Sequence, residues 1–180
     1  LTSCRAVELK GFSLIELLLY VGILSILVVV TSGIIISLNN GRGKSEAQSE
    51  VNSNLRFAIE KINQDIRSAG AINTPAAAGA TSNSLVLVIG ADTVTYSVSA
   101  GYLRRQANTN PAENITSDVV EVNTTDEPLV FTRLENVNSV FSPPRKTVSI
   151  EVFMKIKHKN SSPESQYAES KKTTMVLRGI

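Results

Sequence analysis

The feature that most restricts this chain is the run from Phe12 to Leu38, which holds a single charge, Glu16. At ~1.5 Å of rise per residue, a helix over 12–38 is roughly 40 Å long and exceeds the ~30 Å hydrocarbon core of a bilayer. The run therefore predicts a membrane-spanning helix. A carboxylate inside such a segment is costly in lipid, so it marks function by default and calls for a cationic partner. Gly22, Ser25, Thr31, Ser32, Gly33 and Ser37 keep parts of the helix slim. The spacing of Gly33 and Ser37 suits close approach of another helix, and Ser32-Gly33 is the expected place for a bend.

The residues leading into this run are Lys10-Gly11-Phe12-Ser13-Leu14-Ile15-Glu16-Leu17-Leu18. They resemble the processing signal of type IV prepilins and the related pseudopilins, with Ser13 where that family usually carries threonine. The resemblance implies a leader, 1–11, that holds the basic Lys10 and is cut after Gly11. It also implies methylation of the new amine on Phe12, and a role for Glu16 in guiding filament assembly. A secretory signal peptide places its apolar region before the cut, whereas here that region follows it and stays in the mature chain. Charge counting says little about orientation, since Arg5 and Lys10 on one side face Arg42 and Lys44 on the other. An extracytoplasmic C-terminus is what the resemblance implies.

Cys4 is the single cysteine, and it leaves with the leader. A lipoprotein reading of Leu1-Thr2-Ser3-Cys4 needs a charged and an apolar stretch ahead of it. A mature chain without cysteine forms no disulfide and offers no thiol for catalysis or zinc. The one histidine, His158, stands in a basic strand end and reads as a surface residue.

Beyond the apolar run, Asn39-Asn40-Gly41-Arg42-Gly43 is expected to interrupt the helix as a hinge. From Lys44 the apolar residues Val51, Leu55, Ala58, Ile59, Ile62, Ile66 and Ala69 recur in steps of three and four. That stripe predicts an amphipathic helix packed beneath a sheet, with Gly70 as its left-handed cap. The segment 39–70 thus reads as hinge and amphipathic helix, and 71–180 as the head domain.

Asn73 to Ser82 reads as a flexible, low-complexity loop. The period then changes to that of strands. Ser84–Ile89, Thr93–Val98 and Tyr102–Gln106 predict a three-stranded meander, with turns at Gly90-Ala91-Asp92 and Ser99-Ala100-Gly101. Val94 to Arg105 is similar to a strand-turn-strand of minor pilins of the J and W types. Asn108–Asn114 reads as a loop. Val119–Val122, Leu129–Leu134, Val137–Phe141, Thr147–Lys157 and Thr173–Leu177 complete the expected strands, with Asn160–Ser170 as a polar loop and Lys171-Lys172 guarding an edge. Helix first and sheet after is the α+β order, here pilin-like: a long N-terminal helix on a C-terminal antiparallel sheet.

The charges are unevenly placed along a chain of net +2. The last forty residues carry Arg145, Lys146, Lys155, Lys157, Lys159, Lys171, Lys172 and Arg178 against Glu151, Glu164 and Glu169. Lys155, Lys157 and Lys159 form a candidate basic patch for an acidic ligand, although charges at such positions more often solvate the outer face of strands. Asp118, Glu121, Asp126 and Glu127 lack the regular ligand spacing of a calcium loop, so no metal is expected. Asn114-Ile115-Thr116 and Asn123-Thr124-Thr125 match a glycosylation acceptor. No phosphate loop, no nucleophile elbow and no cofactor motif is present, so no enzyme is expected.

The resemblance implies a structural subunit: a minor pilin or pseudopilin of a pilus, a type II secretion pseudopilus or a DNA-uptake (competence) filament. It implies a single-pass inner-membrane location before assembly. The implied partners are the prepilin peptidase/N-methyltransferase, other major and minor pilin subunits, the inner-membrane assembly platform and membrane lipid. The alternative is a ligand-binding pilin, adhesive or DNA-binding, that uses the basic C-terminal region. An unrelated single-span membrane protein is a third.

Overall fold

The structure, a computed structural model, describes residues 13–122, 127–142, 145–159 and 166–177. Helix α1 runs from Leu14 to Ser68 and is followed, among the described residues, by ten strands. These are β1 (Ala71–Thr74), β2 (Thr81–Ser82), β3 (Leu85–Ile89), β4 (Asp92–Ser99), β5 (Tyr102–Ala107), β6 (Glu113–Asn114), β7 (Val120–Val122), β8 (Val130–Asn138), β9 (Arg145–His158) and β10 (Ala168–Val176). They form two antiparallel sheets, one ordered β1-β3-β4-β5-β6, the other β10-β9-β8-β2 with β7 also paired to β9. The α+β layout expected from the sequence is the one found.

The chain divides at Arg42/Gly43 into two compact units, and α1 contributes to both. No interruption separates them in secondary structure, for α1 remains helical through Asn39–Gly43. Each glycine costs a helix about 1 kcal/mol, but a break forfeits several hydrogen bonds and a second nucleation. With well-formed helix on both sides, continuity wins.

In the first unit, Leu14 to Leu38 is exposed on every face. Among the described residues this is the one helix long and apolar enough to cross a membrane. In the second unit the expected stripe is buried. Val51, Ala58, Ile62 and Ile66 are fully enclosed, Leu55 and Ala69 nearly so, and Ile59 lies at the margin. The helix meets the inward residues of both sheets in one core: Leu85, Leu87, Val94, Tyr96 and Leu103 from the first, and Phe131, Ile150, Val152, Met154 and Ile156 from the second. On β9 the even-numbered residues from Ile150 to Ile156 point inward, so the odd-numbered Lys155 and Lys157 point out.

The predicted meander is present as β3, β4 and β5 and is widened by β1, whose Asn73 and Thr74 fall in an expected loop, and by β6, which lies wholly in another. Its turns differ in chemistry. Gly90 opens the β3–β4 turn at φ 62, while Ala100 and Gly101 both take positive φ, 52 and 77, between β4 and β5. Two such residues in succession match the right-handed twist of a hairpin. Gly101 is further constrained by Glu121, whose Cγ would lie 2.7 Å from an added Cβ.

Four local expectations are corrected. Gly70 is not a left-handed cap: its N–H donates to Val88 O at 2.8 Å, so the chain passes straight from helix into sheet pairing. The stretch from Asn73 to Ser82 is pinned instead of flexible. Gly79 N donates to Arg133 O at 2.7 Å, and the Arg133 guanidinium reaches Ile72 O and Pro75 O. Val137–Phe141 is no separate strand, because β8 continues to Asn138 opposite Arg145 and the chain must then reverse into β9. The final strand begins at Ala168, earlier than the polarity of its first half suggests, because β9 pairs with it over the full length.

Candidate assembly site

Ser13 immediately precedes helix α1, and its carbonyl accepts from Glu16 N at 3.0 Å and Leu17 N at 3.1 Å. Glu16 therefore sits in the first turn, where the positive end of the helix dipole favours a carboxylate by ~0.3–1 kcal/mol. It is exposed and makes no ion pair among the described residues. Lys10, Gly11 and Phe12, the other residues of the predicted processing site, lie outside the described residues. The dipole term is too small to offset the burial of an unpaired carboxylate in lipid or an apolar bundle, which costs several kcal/mol. In either setting Glu16 would need a partner from another molecule or from the residues before Ser13.

Three hydroxyls inside the apolar half, those of Ser25, Thr31 and Ser32, need none. Ser25 Oγ donates to Val21 O at 2.7 Å, Thr31 Oγ1 to Leu27 O at 2.9 Å and Ser32 Oγ to Val28 O at 2.8 Å. Each hydroxyl proton is thereby satisfied one turn back along its own helix, as a helix in lipid requires. Gly22 and Gly33 have no other atom within 4 Å of an added Cβ, so both leave open surface beside the helix.

The second carboxylate of interest was not among the residues singled out from the sequence. Asp65, on the head half of α1, is buried and takes two bonds on one oxygen: Tyr96 Oη at 2.6 Å and Arg105 Nε at 2.7 Å. Tyr96 and Arg105 are directly opposed on β4 and β5, so one carboxylate locks the helix to the first sheet. Burial, then the hydrogen bond to Asp65, push the Tyr96 phenol far above its ordinary value. The same carboxylate raises Arg105. A sequence signal did exist. Asp65 stands three residues after Ile62 and four before Ala69, within the apolar stripe, and Arg105 shares the inward face of β5 with Leu103.

Lower on the helix, Asn54 Oδ1 accepts from Ser117 N at 2.8 Å. Tyr167 Oη donates to Glu169 at 2.8 Å, a bond that pushes its phenol upward. On the far side of the second sheet, Glu135 takes Lys146 at 2.7 Å and Arg133 at 2.8 Å, and the two cations hold its carboxyl below the usual range.

The candidate basic patch is brought together, with Lys155 and Lys157 on the outer face of β9 and Lys159 just past its end, but its charge is largely spent. Lys155 pairs with Glu127, and Lys157 with Glu121 at 3.3 Å. Lys159 Nζ lies 4.0 Å from the centroid of the Tyr102 ring. Of the acidic residues weighed for calcium, Glu121 and Glu127 are these partners, while Asp126 lies outside the described residues, as does the Asn123-Thr124-Thr125 acceptor. Among the described residues no cluster of acidic, cysteine or histidine side chains is placed to hold a metal. Comparison with protein-family models, curated proteins and solved structures gives no match for this chain.

Proposed function

We propose that this chain is a minor type IV pilin or pseudopilin, a structural subunit cut by prepilin peptidase that enters or primes a pilus, a type II secretion pseudopilus or a DNA-uptake filament. The observation that carries this reading is Glu16. It is the one charge on an exposed apolar half-helix in which the hydroxyls of Ser25, Thr31 and Ser32 are satisfied internally. The same helix continues into a packed antiparallel head.

In this mechanism, cleavage after Gly11 creates a cationic amine on Phe12, which is methylated. The subunit is held in the inner membrane by 12–38 with its head outside. As the assembly platform draws the helix out of the bilayer, the Glu16 carboxylate meets the Phe12 amine of a neighbouring pilin subunit. That pairing offsets much of the several kcal/mol that either charge alone would cost in an apolar bundle.

The test is the intact mass of protein extracted from the membrane of a host with active prepilin peptidase. The expected mass is that of Phe12 to Ile180 plus one methyl group. An uncut chain retaining 1–11 would overturn the reading. Gly11→Glu should leave the leader attached. Glu16→Ala should be cut normally yet enter filaments at under a tenth of the wild-type level, and normal incorporation would remove Glu16 from the mechanism.

A further inference from the structure

From Arg42 onward, α1 carries a stripe of side chains that the core does not use. Arg42, Glu46, Ser49, Ser53, Arg56 and Glu60 follow one another in steps of three and four, so they share one face of the helix, and all six are exposed. The charges form a repeated motif: Arg42 and Glu46, four residues apart, recur as Arg56 and Glu60. The repeat distance is about four turns, which returns the second pair to the face of the first.

These charges are not spent within the chain. In both pairs arginine precedes glutamate, the weaker order for an ion pair along one helix. Among the described residues none of the four makes an ion pair. Ser49 and Ser53 keep the middle of the stripe slim, and Phe57 at its margin is more than half exposed.

We propose that this stripe packs against the same stripe of a second copy of this chain, parallel to it and displaced by four residues, about 6 Å along the helix. Charge complementarity selects the offset. In register, all four charged residues would face their own counterparts. A shift of four residues sets one copy's Arg42 level with the other's Glu46, and its Arg56 level with the other's Glu60. Glu50 flanks the stripe, and the same shift brings a Glu46 level with it: one like-charge approach against two opposite ones. An antiparallel pair would match the charges too, but copies inserted in one bilayer with the same topology meet in parallel. Exposed ion pairs are weak singly, yet spans that confine both copies to one membrane raise their effective concentration, so few contacts suffice. The inference rests on 12–38 lying in a bilayer and uses neither cleavage nor Glu16, so it and the assembly mechanism fail separately.

The test is disulfide cross-linking of the full chain in a cell membrane, with two differently tagged variants coexpressed in a Cys4→Ser background that leaves no other thiol. Ser45→Cys and Ser49→Cys stand four residues apart on exposed helix and leave every charge in place. Together they should give at least about fivefold more cross-linked dimer than either variant expressed alone. Arg56→Glu added to both copies should cut that yield about fivefold, and Glu60→Arg added to Arg56→Glu should restore it, because the reversed pair meets at the same offset. The rescue separates a charge contact from damage to the fold. No dimer, or as much dimer from either cysteine alone as from the two together, would overturn the proposal. So would a yield that Arg56→Glu leaves unchanged, or one that Glu60→Arg does not restore.

Discussion

The two halves of α1 treat the same chemistry in opposite ways. Between Leu14 and Leu38 the large apolar side chains are exposed and a carboxylate, Glu16, stands without an ion pair among the described residues. Between Gly43 and Ser68 the apolar stripe is enclosed and a carboxylate, Asp65, is buried with two donors on one oxygen. One half is closed within the chain, and the other presents its apolar side chains and its carboxylate outward. An acid whose bonds are all made locally is a structural part, whereas one left open on an apolar surface is costly once that surface enters lipid or an apolar bundle.

The largest effect should come from cutting into the finished half. Ile62→Ala removes a fully enclosed side chain and should lower head stability by about 3 kcal/mol, while Leu18→Ala should change it by less than about 0.5 kcal/mol. Urea unfolding of the full chain in micelles, followed by a probe in the sheets, measures both. Equal losses would erase the distinction between the halves.

The carboxylates themselves come next. Asp65→Ala removes the charge partner of the Arg105 guanidinium and leaves the Tyr96 hydroxyl only its longer bond to Lys61 O at 3.4 Å, and should cost about 3 kcal/mol. Glu16→Ala should leave head stability unchanged and act on assembly alone. If Asp65→Ala unfolded no more readily than wild type, the helix-to-sheet lock would be dispensable.

Much of this contrast is legible in the sequence, and the rest is not for a physical reason. Periodicity within one element shows in the order of residues, so the run 12–38, the stripe from Val51 to Ala69 and the meander were all readable. Partnerships across elements do not show. Lys157 looked like part of a basic patch until β7 was placed beside β9, which sets Glu121 directly opposite it. Arg133 gave no hint that it would reach across to Ile72 O and Pro75 O and fix a stretch whose composition reads as loose. Asp65 breaks the stripe visibly, but its donors Tyr96 and Arg105 stand 31 and 40 residues further along the chain and are not marked by that break. The junction at Asn39–Gly43 failed differently. Local propensity argued for a break, and the cooperativity of the flanking helix outweighed it.

Alkaline pH should sharpen the contrast with a smaller effect. Burial and Asp65 raise the Tyr96 phenol, so the folded state holds that proton more tightly than the unfolded state does. Its contribution is complete below the unfolded value of about 10 and is lost as pH rises above it. Head stability should therefore fall above about pH 10 in wild type, and the decline should be shallower in Tyr96→Phe, which costs about 1 kcal/mol at neutral pH through the lost hydrogen bond. Thermal melts from neutrality to pH 11 would show it, and an unchanged alkaline slope in the variant would assign the loss elsewhere.

The smallest effect probes where the halves join. Gly41 lies in the continuous helix with nothing within 4 Å of an added Cβ. If the junction is helical in solution, Gly41→Ala should stabilise it by about 1 kcal/mol, since alanine gives up less backbone freedom there than glycine does. The gain belongs to local opening and not to the head, so amide exchange across 39–45 should slow about fivefold while the urea midpoint of the sheets stays put. Unchanged exchange at the junction would mean that the glycines and asparagines keep it open, and that the halves are divided in secondary structure as well as in what they bury.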